Sequence, residues 1–325
     1  MKLALLDDYQ RLALGAADWE RLRKRGIEIQ VFHEAFASAD EAAGKLAPFD
    51  IVCLMRERTP FPRALIERLP NLKFLVLTGL RAPSLDLAAC SARRIPVSNT
   101  GAGNTNAPTA ELTWLLVLAA ARDFAKAERG VRAGRWHDGL AGGTILEGKR
   151  LGLLGLGKLG ARVARYGLAF GMDVVAWSQN LTPERAAAAG AHPVTKEMLL
   201  DTADVVSVHL VLSERTRGLL GAAEFARMKR GAILVNTSRG PIVDEAAMLE
   251  ALKSGRLGHA ALDVYDREPL PAGHALRELD NVTLSPHLGY VSEDVFRVFY
   301  EGALEDIEAW LDGRPIRVMN PEALA

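Results

Sequence analysis

Short apolar runs alternate with amphipathic stretches from the first residues of the chain onward. The stretches between the first runs, such as Asp18–Lys24 and Arg63–Arg68, have the apolar spacing of helices. Strands that alternate with helices predict a parallel sheet covered by helices on both faces. The strands predicted in this part of the chain are Leu3–Leu6, Ile27–Phe32, Ile51–Met55 and Phe74–Leu77.

The pattern changes at Ala107. From there to Glu128 the chain predicts one long helix that is apolar on most of its surface, and a helix of this kind is buried between two bodies. A second alternating series begins at Arg150, and a last helix is predicted over Glu293–Leu311. The length of 325 residues also suggests two domains. The strands predicted in the second series are Leu151–Leu154, Val174–Trp177, Val205–Leu210, Ile233–Val235, Ala260–Val264 and Val282–Leu284.

Charge and composition exclude several classes of protein. The 40 basic and 40 acidic residues cancel and form no long block of one sign, so we expect neither nucleic acid nor a membrane surface as a partner. The apolar run at the amino terminus is too short for a signal peptide. Cys53 and Cys90 lie far apart in apolar surroundings, so neither a disulfide nor a metal site is expected. Together these features predict a cytoplasmic protein.

A glycine-rich segment opens the second series. It has the pattern G-x-G-x-x-G directly after a predicted strand and directly before a predicted helix, Ala161–Ala169. In this setting the first glycine allows a tight turn, the second lets the backbone approach a pyrophosphate, and the third lets helix and strand pack closely. The amino terminus of the helix then faces the phosphates. The segment predicts a dinucleotide site whose contacts are Gly155, Leu156, Gly157, Lys158, Leu159 and Gly160.

The next predicted strand ends without the acid that binds the ribose 2′-hydroxyl in NAD enzymes. Ser178 and Gln179 stand at its end, and we expect both to contact the cofactor. A serine neither repels a 2′-phosphate nor binds the hydroxyl groups as a carboxylate does. Arg185 is close enough in sequence to be a candidate partner for that phosphate. These residues leave both NAD and NADP open.

Three polar motifs follow three later strands of the second series. Residues just past the carboxyl ends of parallel strands face the ligand crevice, so these motifs are expected to meet at one point. An arginine that binds a carboxylate, beside a histidine–glutamate pair that moves a proton, suits 2-keto acid chemistry. The motifs are Asn236-Thr-Ser-Arg239-Gly240, Asp263-Val-Tyr-Asp-Arg-Glu268-Pro269 and Ser285-Pro-His287-Leu-Gly289.

The ordered set of these motifs and the glycine loop resembles the D-isomer-specific 2-hydroxyacid dehydrogenase family. The likeness covers nearly the whole chain and includes the segments Arg94–Asn99 and Thr216–Gly218. It implies an α/β fold with two Rossmann-like or flavodoxin-like doubly wound parallel-sheet domains. The dinucleotide-binding domain, residues 100–287, would be inserted in a discontinuous substrate domain, residues 1–99 and 288–325. A cleft at the domain boundary and a homodimer formed through about Ala107–Leu140 are also implied.

The resemblance further implies hydride transfer between NAD(P)H and a small 2-keto acid or D-2-hydroxyacid, such as glyoxylate or hydroxypyruvate. Arg239 would bind the keto acid, His287 would supply the proton, and Glu268 would fix the imidazole. NAD(H) is the cofactor expected from the family, with NADP(H) open because Ser178 replaces the acid. Asp263 would orient the nicotinamide carboxamide. The other cofactor contacts would come from His209, Thr237 and Ser238.

One loop departs from the family pattern. The family has a glycine-rich loop in its first domain whose backbone N–H groups bind the substrate carboxylate. Here Arg81 stands where a second glycine is common, and Pro83 has no N–H group. Two cations in this region would favour a small, strongly anionic or polar 2-keto acid. The substrate contacts expected are Arg56, Gly79, Leu80 and Arg81.

Two other functions use the same scaffold. One is a formate or phosphite dehydrogenase, of which formate oxidation is disfavoured because Glu268 stands where formate enzymes of this type lack a carboxylate. A dinucleotide-sensing regulatory protein, similar to the corepressors of this fold, would carry extra partner-binding segments, and we expect none here. The sequence alone identifies neither the hydroxyacid nor the physiological direction of the reaction.

Overall fold

The computed structural model describes residues 1–101 and 103–324 and divides the chain into two compact units. The first unit combines two segments, Met1–Asn104 and Val291–Ala325, and the second unit is the continuous segment Thr105–Tyr290. Each unit contains a fully parallel sheet with helices packed against it. This is the α/β class that the alternating pattern predicted.

Strands and helices alternate along both units of the described chain. The strands are β1 (Lys2–Leu5), β2 (Glu28–Val31), β3 (Ile51–Leu54), β4 (Phe74–Leu77), β5 (Val97–Asn99), β6 (Arg150–Leu154), β7 (Asp173–Trp177), β8 (His192–Pro193), β9 (Val205–Val208), β10 (Ala232–Asn236), β11 (Leu257–Leu262) and β12 (Val282–Leu284). The helices are α1 (Glu20–Arg23), α2 (Ala39–Leu46), α3 (Arg63–Ile66), α4 (Leu87–Ala92), α5 (Asn106–Ala121), α6 (Phe124–Arg132), α7 (Lys158–Ala169), α8 (Pro183–Ala188), α9 (Lys196–Thr202), α10 (Ala222–Arg227), α11 (Glu245–Lys253) and α12 (Glu293–Leu311). Short 3-10 turns cover Ala13–Gly15, Gly240–Ile242, Ala275–Glu278 and Pro321–Leu324.

The sheet of the first unit has the strand order β2-β1-β3-β4-β5. Every residue of β3 and β4 is buried, as expected for strands that are covered on both faces. Helices α2, α3 and α4 cover one face, in a core that includes Leu46 and Leu65. Helix α12 packs against β4 and β5, where the ring of Trp310 stacks on Phe74 at 4.9 Å. The last helix of the chain therefore completes the unit that the first hundred residues begin.

The sheet of the second unit has the order β12-β11-β10-β9-β6-β7-β8. One apolar core lies between the sheet and α5 and α7, and a second lies on the other face with α9, α10 and α11. From β6 the chain adds β7 and β8 on one side, and from β9 it adds β10, β11 and β12 on the other side. The strand order therefore reverses between β6 and β9. In doubly wound sheets the ligand crevice lies at this point, beyond the carboxyl ends of the strands.

The structure differs from the sequence prediction in the long helix and in two short strands. The helix predicted from Ala107 to Glu128 is wrong in its length: α5 ends at Ala121, and a second helix begins at Phe124. Asp123 between them has a left-handed backbone with φ of 50°, which no α-helix continues through. Strands β5 and β8 have only three and two residues, too few for an apolar pattern. Among the described residues, no helix is both long and apolar enough to cross a membrane.

Candidate functional site

The three polar motifs begin side by side at one edge of the second sheet. Asn236 is in register with Leu262, and Leu262 is in register with Leu284, so β10, β11 and β12 end at the same level. The N–H of Asp263 donates to the carbonyl of Asn236, and that of Ser285 donates to the carbonyl of Leu262. The parallel register therefore brings together three loops that are distant in sequence.

A hydrogen bond joins the histidine and the glutamate of two of these loops. His287 Nδ1 lies 2.5 Å from Glu268 Oε2, and the N–H of Tyr265 donates to Glu268 Oε1 at 2.9 Å. Burial alone would raise the pKa of Glu268, but the hydrogen bond and charge of His287, the Tyr265 N–H and the charge of Arg239 together hold that pKa below its usual value. An ionised Glu268 accepts a hydrogen bond from the Nδ1–H group, which leaves Nε2 as the nitrogen that can exchange a proton with a ligand.

Arg239 stands on the loop after β10, close enough for its charge to act on Glu268. The side chain of Asn236 shapes this loop: its amide group donates to the carbonyl of Arg239 at 3.0 Å, and its oxygen accepts from the N–H of Ser238 at 3.0 Å. Arg239 Nη1 donates to the carbonyl of Ser238 at 2.6 Å. The guanidinium, carboxylate and imidazole groups predicted for catalysis thus lie in neighbouring loops of one sheet edge.

The backbone of His287 is left-handed, with φ of 56°, an uncommon conformation for a residue other than glycine. The buried carboxylate of Asp263 holds the loop on both sides of it. Asp263 Oδ1 accepts from Ser285 Oγ at 2.6 Å and from the Leu288 N–H at 2.7 Å, and Oδ2 accepts from the Gly289 N–H at 2.8 Å. Burial raises the pKa of Asp263 against these hydrogen bonds. Its predicted contact with the nicotinamide stays a prediction.

The glycine loop joins β6 to α7. Gly155 has φ of 103°, and a Cβ atom there would lie 2.5 Å from the carbonyl oxygen of His209, so only glycine fits. A Cβ atom on Gly160 would collide with the carbonyl oxygen of Gly155, whereas Gly157 has open space around it. Helix α7 begins with Lys158, three residues earlier than predicted. The exposed Gly157 and Lys158 and the free N–H groups of this helix end fit a dinucleotide pyrophosphate.

His209, Thr237 and Ser238, which are also predicted cofactor contacts, lie on the loops after β9 and β10. Burial lowers the pKa of His209 to about 3, so its imidazole is neutral at physiological pH and cannot serve there as an acid. His209 Nε2 lies 2.9 Å from Ser207 Oγ, and Thr237 Oγ1 lies 2.9 Å from Thr113 Oγ1. Ser238 Oγ donates to the carbonyl of Leu210. These contacts order the loops after β9 and β10.

Two arginines lie beside the end of β7, where the sequence lacks the ribose-binding acid. Arg215 Nη1 donates to Gln179 Oε1 at 3.3 Å, and Arg185 Nη1 donates to the carbonyl of Asn180 at 3.4 Å. Ser178 is half-buried at the start of this turn. Sequence reasoning missed Arg215, although it directly precedes the Thr216–Gly218 segment that resembles the family.

The predicted substrate contacts all belong to the first unit, on the loops after β3 and β4. Arg56 Nη1 lies close to the Cα of Gly79, so a side chain at position 79 would require the arginine side chain to move. The Gly79 N–H already donates to Thr100 Oγ1 at 3.0 Å. Leu80 is exposed, and within the described chain Arg81 is exposed and forms no hydrogen bond or ion pair. In the same described residues, no group of His, Cys, Asp and Glu could hold a metal ion.

Known proteins are similar to this chain over most of its length. The family described as D-isomer specific 2-hydroxyacid dehydrogenase, NAD binding domain, matches residues 114–289. A D-3-phosphoglycerate dehydrogenase of Archaeoglobus fulgidus is 36% identical over 296 residues, which are 91% of this chain and 55% of that protein. A glyoxylate reductase of Aeropyrum pernix is 38% identical over 268 residues, 80% of each chain. This chain therefore spans about half of the first relative and most of the second.

A solved structure extends the likeness to the three-dimensional fold. The crystal structure of a phosphoglycerate oxidoreductase from Vibrio cholerae superposes with a TM-score of 0.90 and 34% sequence identity. The superposition covers 96% of this chain and 99% of that chain. The likeness therefore includes both α/β units.

Proposed function

Because the chain belongs to the D-isomer-specific 2-hydroxyacid dehydrogenase family, we propose that it reduces small 2-keto acids to D-2-hydroxyacids with NAD(P)H. The observation that carries the proposal is the hydrogen bond between His287 Nδ1 and Glu268 Oε2, close to the charge of Arg239. Relatives named glyoxylate reductase and D-3-phosphoglycerate dehydrogenase support a substrate of this class.

Arg239, His287 and Glu268 each have a separate role in the proposed reaction. The forked guanidinium of Arg239 binds the carboxylate and carbonyl oxygen of the keto acid. The hydride for the carbonyl carbon would come from a reduced nicotinamide, if one is bound over the glycine loop. His287 donates the proton on Nε2 to the carbonyl oxygen, which becomes the hydroxyl group of the product. Glu268 stabilises the positive charge of the imidazolium before this transfer and keeps the proton on Nδ1 afterwards.

We expect the cofactor to bind over the glycine loop and the amino-terminal end of α7. The match to an NAD-binding domain supports NAD(H). The lack of an acid at Ser178 and the nearby Arg185 and Arg215 support use of NADP(H) as well. For the substrate, Arg56 and Arg81 are proposed to bind polar or anionic groups, since the guanidinium of Arg81 forms no hydrogen bond or ion pair within the described chain.

The protein is also proposed to form a homodimer through the region Ala107–Leu140. In the isolated chain several large apolar side chains of this region face solvent, including Leu115 at 58%, Phe124 at 59% and Trp136 at 74% exposure. Exposed apolar side chains that cluster in one region are typical of protein interfaces. Light scattering after size-exclusion chromatography tests this: a monomer at micromolar concentration would contradict it. The two free, buried cysteines support a cytoplasmic location, which cell fractionation tests.

A screen of cofactors and substrates tests the proposed activity. The absorbance of NADH and NADPH is followed with glyoxylate, hydroxypyruvate, 3-phosphohydroxypyruvate and 2-ketoisovalerate, and the product is analysed by chiral chromatography. We expect oxidation of cofactor with at least one keto acid and a product of D configuration. Tight dinucleotide binding without any oxidation would contradict the proposal and would favour a regulatory role.

A further inference from the structure

Tyr265 lies at the centre of the three polar loops. Its side chain is buried, and its hydroxyl group lies 2.8 Å from the carbonyl oxygen of Ser285 and 3.2 Å from that of Leu262. Burial raises the pKa of Tyr265, so the phenol keeps its proton and can donate a hydrogen bond. Because the nearer acceptor is Ser285, the hydroxyl group holds the loop that carries His287 two residues later.

The backbone of the same residue contacts the other two loops. Its N–H donates to Glu268 Oε1 at 2.9 Å, which fixes one carboxylate oxygen while the other accepts from His287. Its carbonyl group lies directly against the Cα of Gly240, where any side chain would collide. Gly240 follows Arg239 in the chain. One residue therefore contacts the loops that carry all three predicted catalytic groups.

From these contacts we infer that Tyr265 is a positioning residue that holds His287 in hydrogen-bonding distance of Glu268. The inference rests on the proposed function. The left-handed backbone of His287 persists only while its surroundings hold it. Asp263 holds the loop through the Ser285 side chain and through two N–H groups that follow His287, whereas Tyr265 holds it through the Ser285 carbonyl oxygen. The two contacts are separate and can be removed one at a time.

Tyr265→Phe removes the hydroxyl group and keeps the ring, the N–H and the carbonyl group. A buried carbonyl group that loses its donor is destabilised, and the Ser285 loop relieves this by shifting. We expect kcat of keto-acid reduction to fall about tenfold with KM within about twofold, because the proton-transfer geometry is lost rather than substrate binding. The alkaline limb of the kcat/KM profile is expected to move to lower pH, and by less than in Glu268→Gln, because the contact that favours the imidazolium form is weakened rather than removed.

A double-mutant cycle separates positioning from a general loss of stability. If Tyr265 acts through the Glu268–His287 pair, Tyr265→Phe costs less than about twofold in kcat once Glu268→Gln is present. Tyr300→Phe, at a buried tyrosine of the first unit, is the matched control and should leave kcat and the pH profile unchanged. Melting temperatures of all variants are measured alongside.

The outcomes are distinct for the two proposals. An unchanged kcat and pH profile in Tyr265→Phe, or a tenfold cost that persists in the Glu268→Gln background, would overturn the positioning role. Failure of the wild-type chain to reduce any keto acid would instead refute the proposed function. A nonadditive cycle with a shifted pH profile supports both.

Discussion

Replacement of Glu268 by glutamine tests the proton-transfer pair with the smallest change of shape. The amide group can still meet His287 Nδ1, but its negative charge is lost. A hydrogen bond to a charged partner contributes about 1.5–3 kcal/mol in proteins. The His287 and Glu268 side chains are 27% and 34% exposed, so solvent screens their attraction and this range applies rather than the larger values of a dry interior. Since about 1.4 kcal/mol is a factor of ten, kcat/KM should fall roughly 10- to 100-fold at neutral pH.

The pH dependence gives the sharper signature. The proposed reduction uses the imidazolium form of His287, and Glu268→Gln removes the negative charge that stabilises this form. The alkaline limb of the kcat/KM profile should therefore move to lower pH in Glu268→Gln. Initial rates of NADH or NADPH oxidation with the best keto acid, measured from about pH 5.5 to pH 9.5, give this limb directly.

A second His–Glu pair in the same unit provides a matched control. Glu245 Oε1 lies 3.0 Å from His274 Nε2, and both side chains are half-buried. Glu245→Gln removes a similar pair at α11 and should leave kcat/KM and its alkaline limb unchanged. A wild-type profile in Glu268→Gln, or an equal shift in Glu245→Gln, would contradict the role of the His287–Glu268 pair.

Three further predictions concern the cofactor, the substrate and stability. Arg215→Ala should lower kcat/KM with NADPH about tenfold relative to NADH, because a cation beside Gln179 is lost; an unchanged ratio of the two rates would contradict this. Arg81→Ala should reduce kcat/KM for glyoxylate and hydroxypyruvate more than for 2-ketoisovalerate, and equal effects would refute a role in recognising small polar substrates. Burial raises the pKa of Asp306, on α12, to about 7, above its value in the unfolded chain. The folded protein is therefore most stable while this carboxyl group is protonated, and it loses that stability as the pH rises from about 4 through 7. Urea denaturation at about pH 5 and pH 8 should show a weaker pH dependence in Asp306→Asn, and an unchanged dependence would contradict this assignment.

Much of the fold follows from local pattern. Continuous apolar runs such as Ile51–Leu54 predict strands that are buried on both faces, and the parallel sheets follow from the helices between them. The break between α5 and α6 escaped prediction because Arg122 and Asp123 are compatible with a helix, and only the left-handed backbone of Asp123 ends it. The ends of two strands were also predicted too late. β9 ends at Val208 rather than Leu210, and β11 ends at Leu262 rather than Val264, because the apolar character continues past the end of each strand.

The proximity of the candidate site residues can be predicted wherever it depends only on their position directly after a strand. Arg239, Glu268 and His287 follow strands that end in register, so their proximity is a consequence of the parallel sheet. Contacts that arise from tertiary packing left no signal in the sequence. In the sequence, nothing distinguishes Tyr265 from other aromatic residues or Arg215 from other surface charges. Their partners, Ser285 and Gln179, become apparent only in the folded chain.

His287 is proposed to transfer the proton to the keto acid. The most direct test is kcat/KM for keto-acid reduction in His287→Ala, together with the dissociation constant for the reduced cofactor. We predict a loss of at least about a thousandfold in kcat/KM with cofactor affinity within about threefold of wild type. His192→Ala, at an exposed histidine of β8, should behave as wild type. A His287→Ala enzyme that keeps most of its reductase activity would contradict the account.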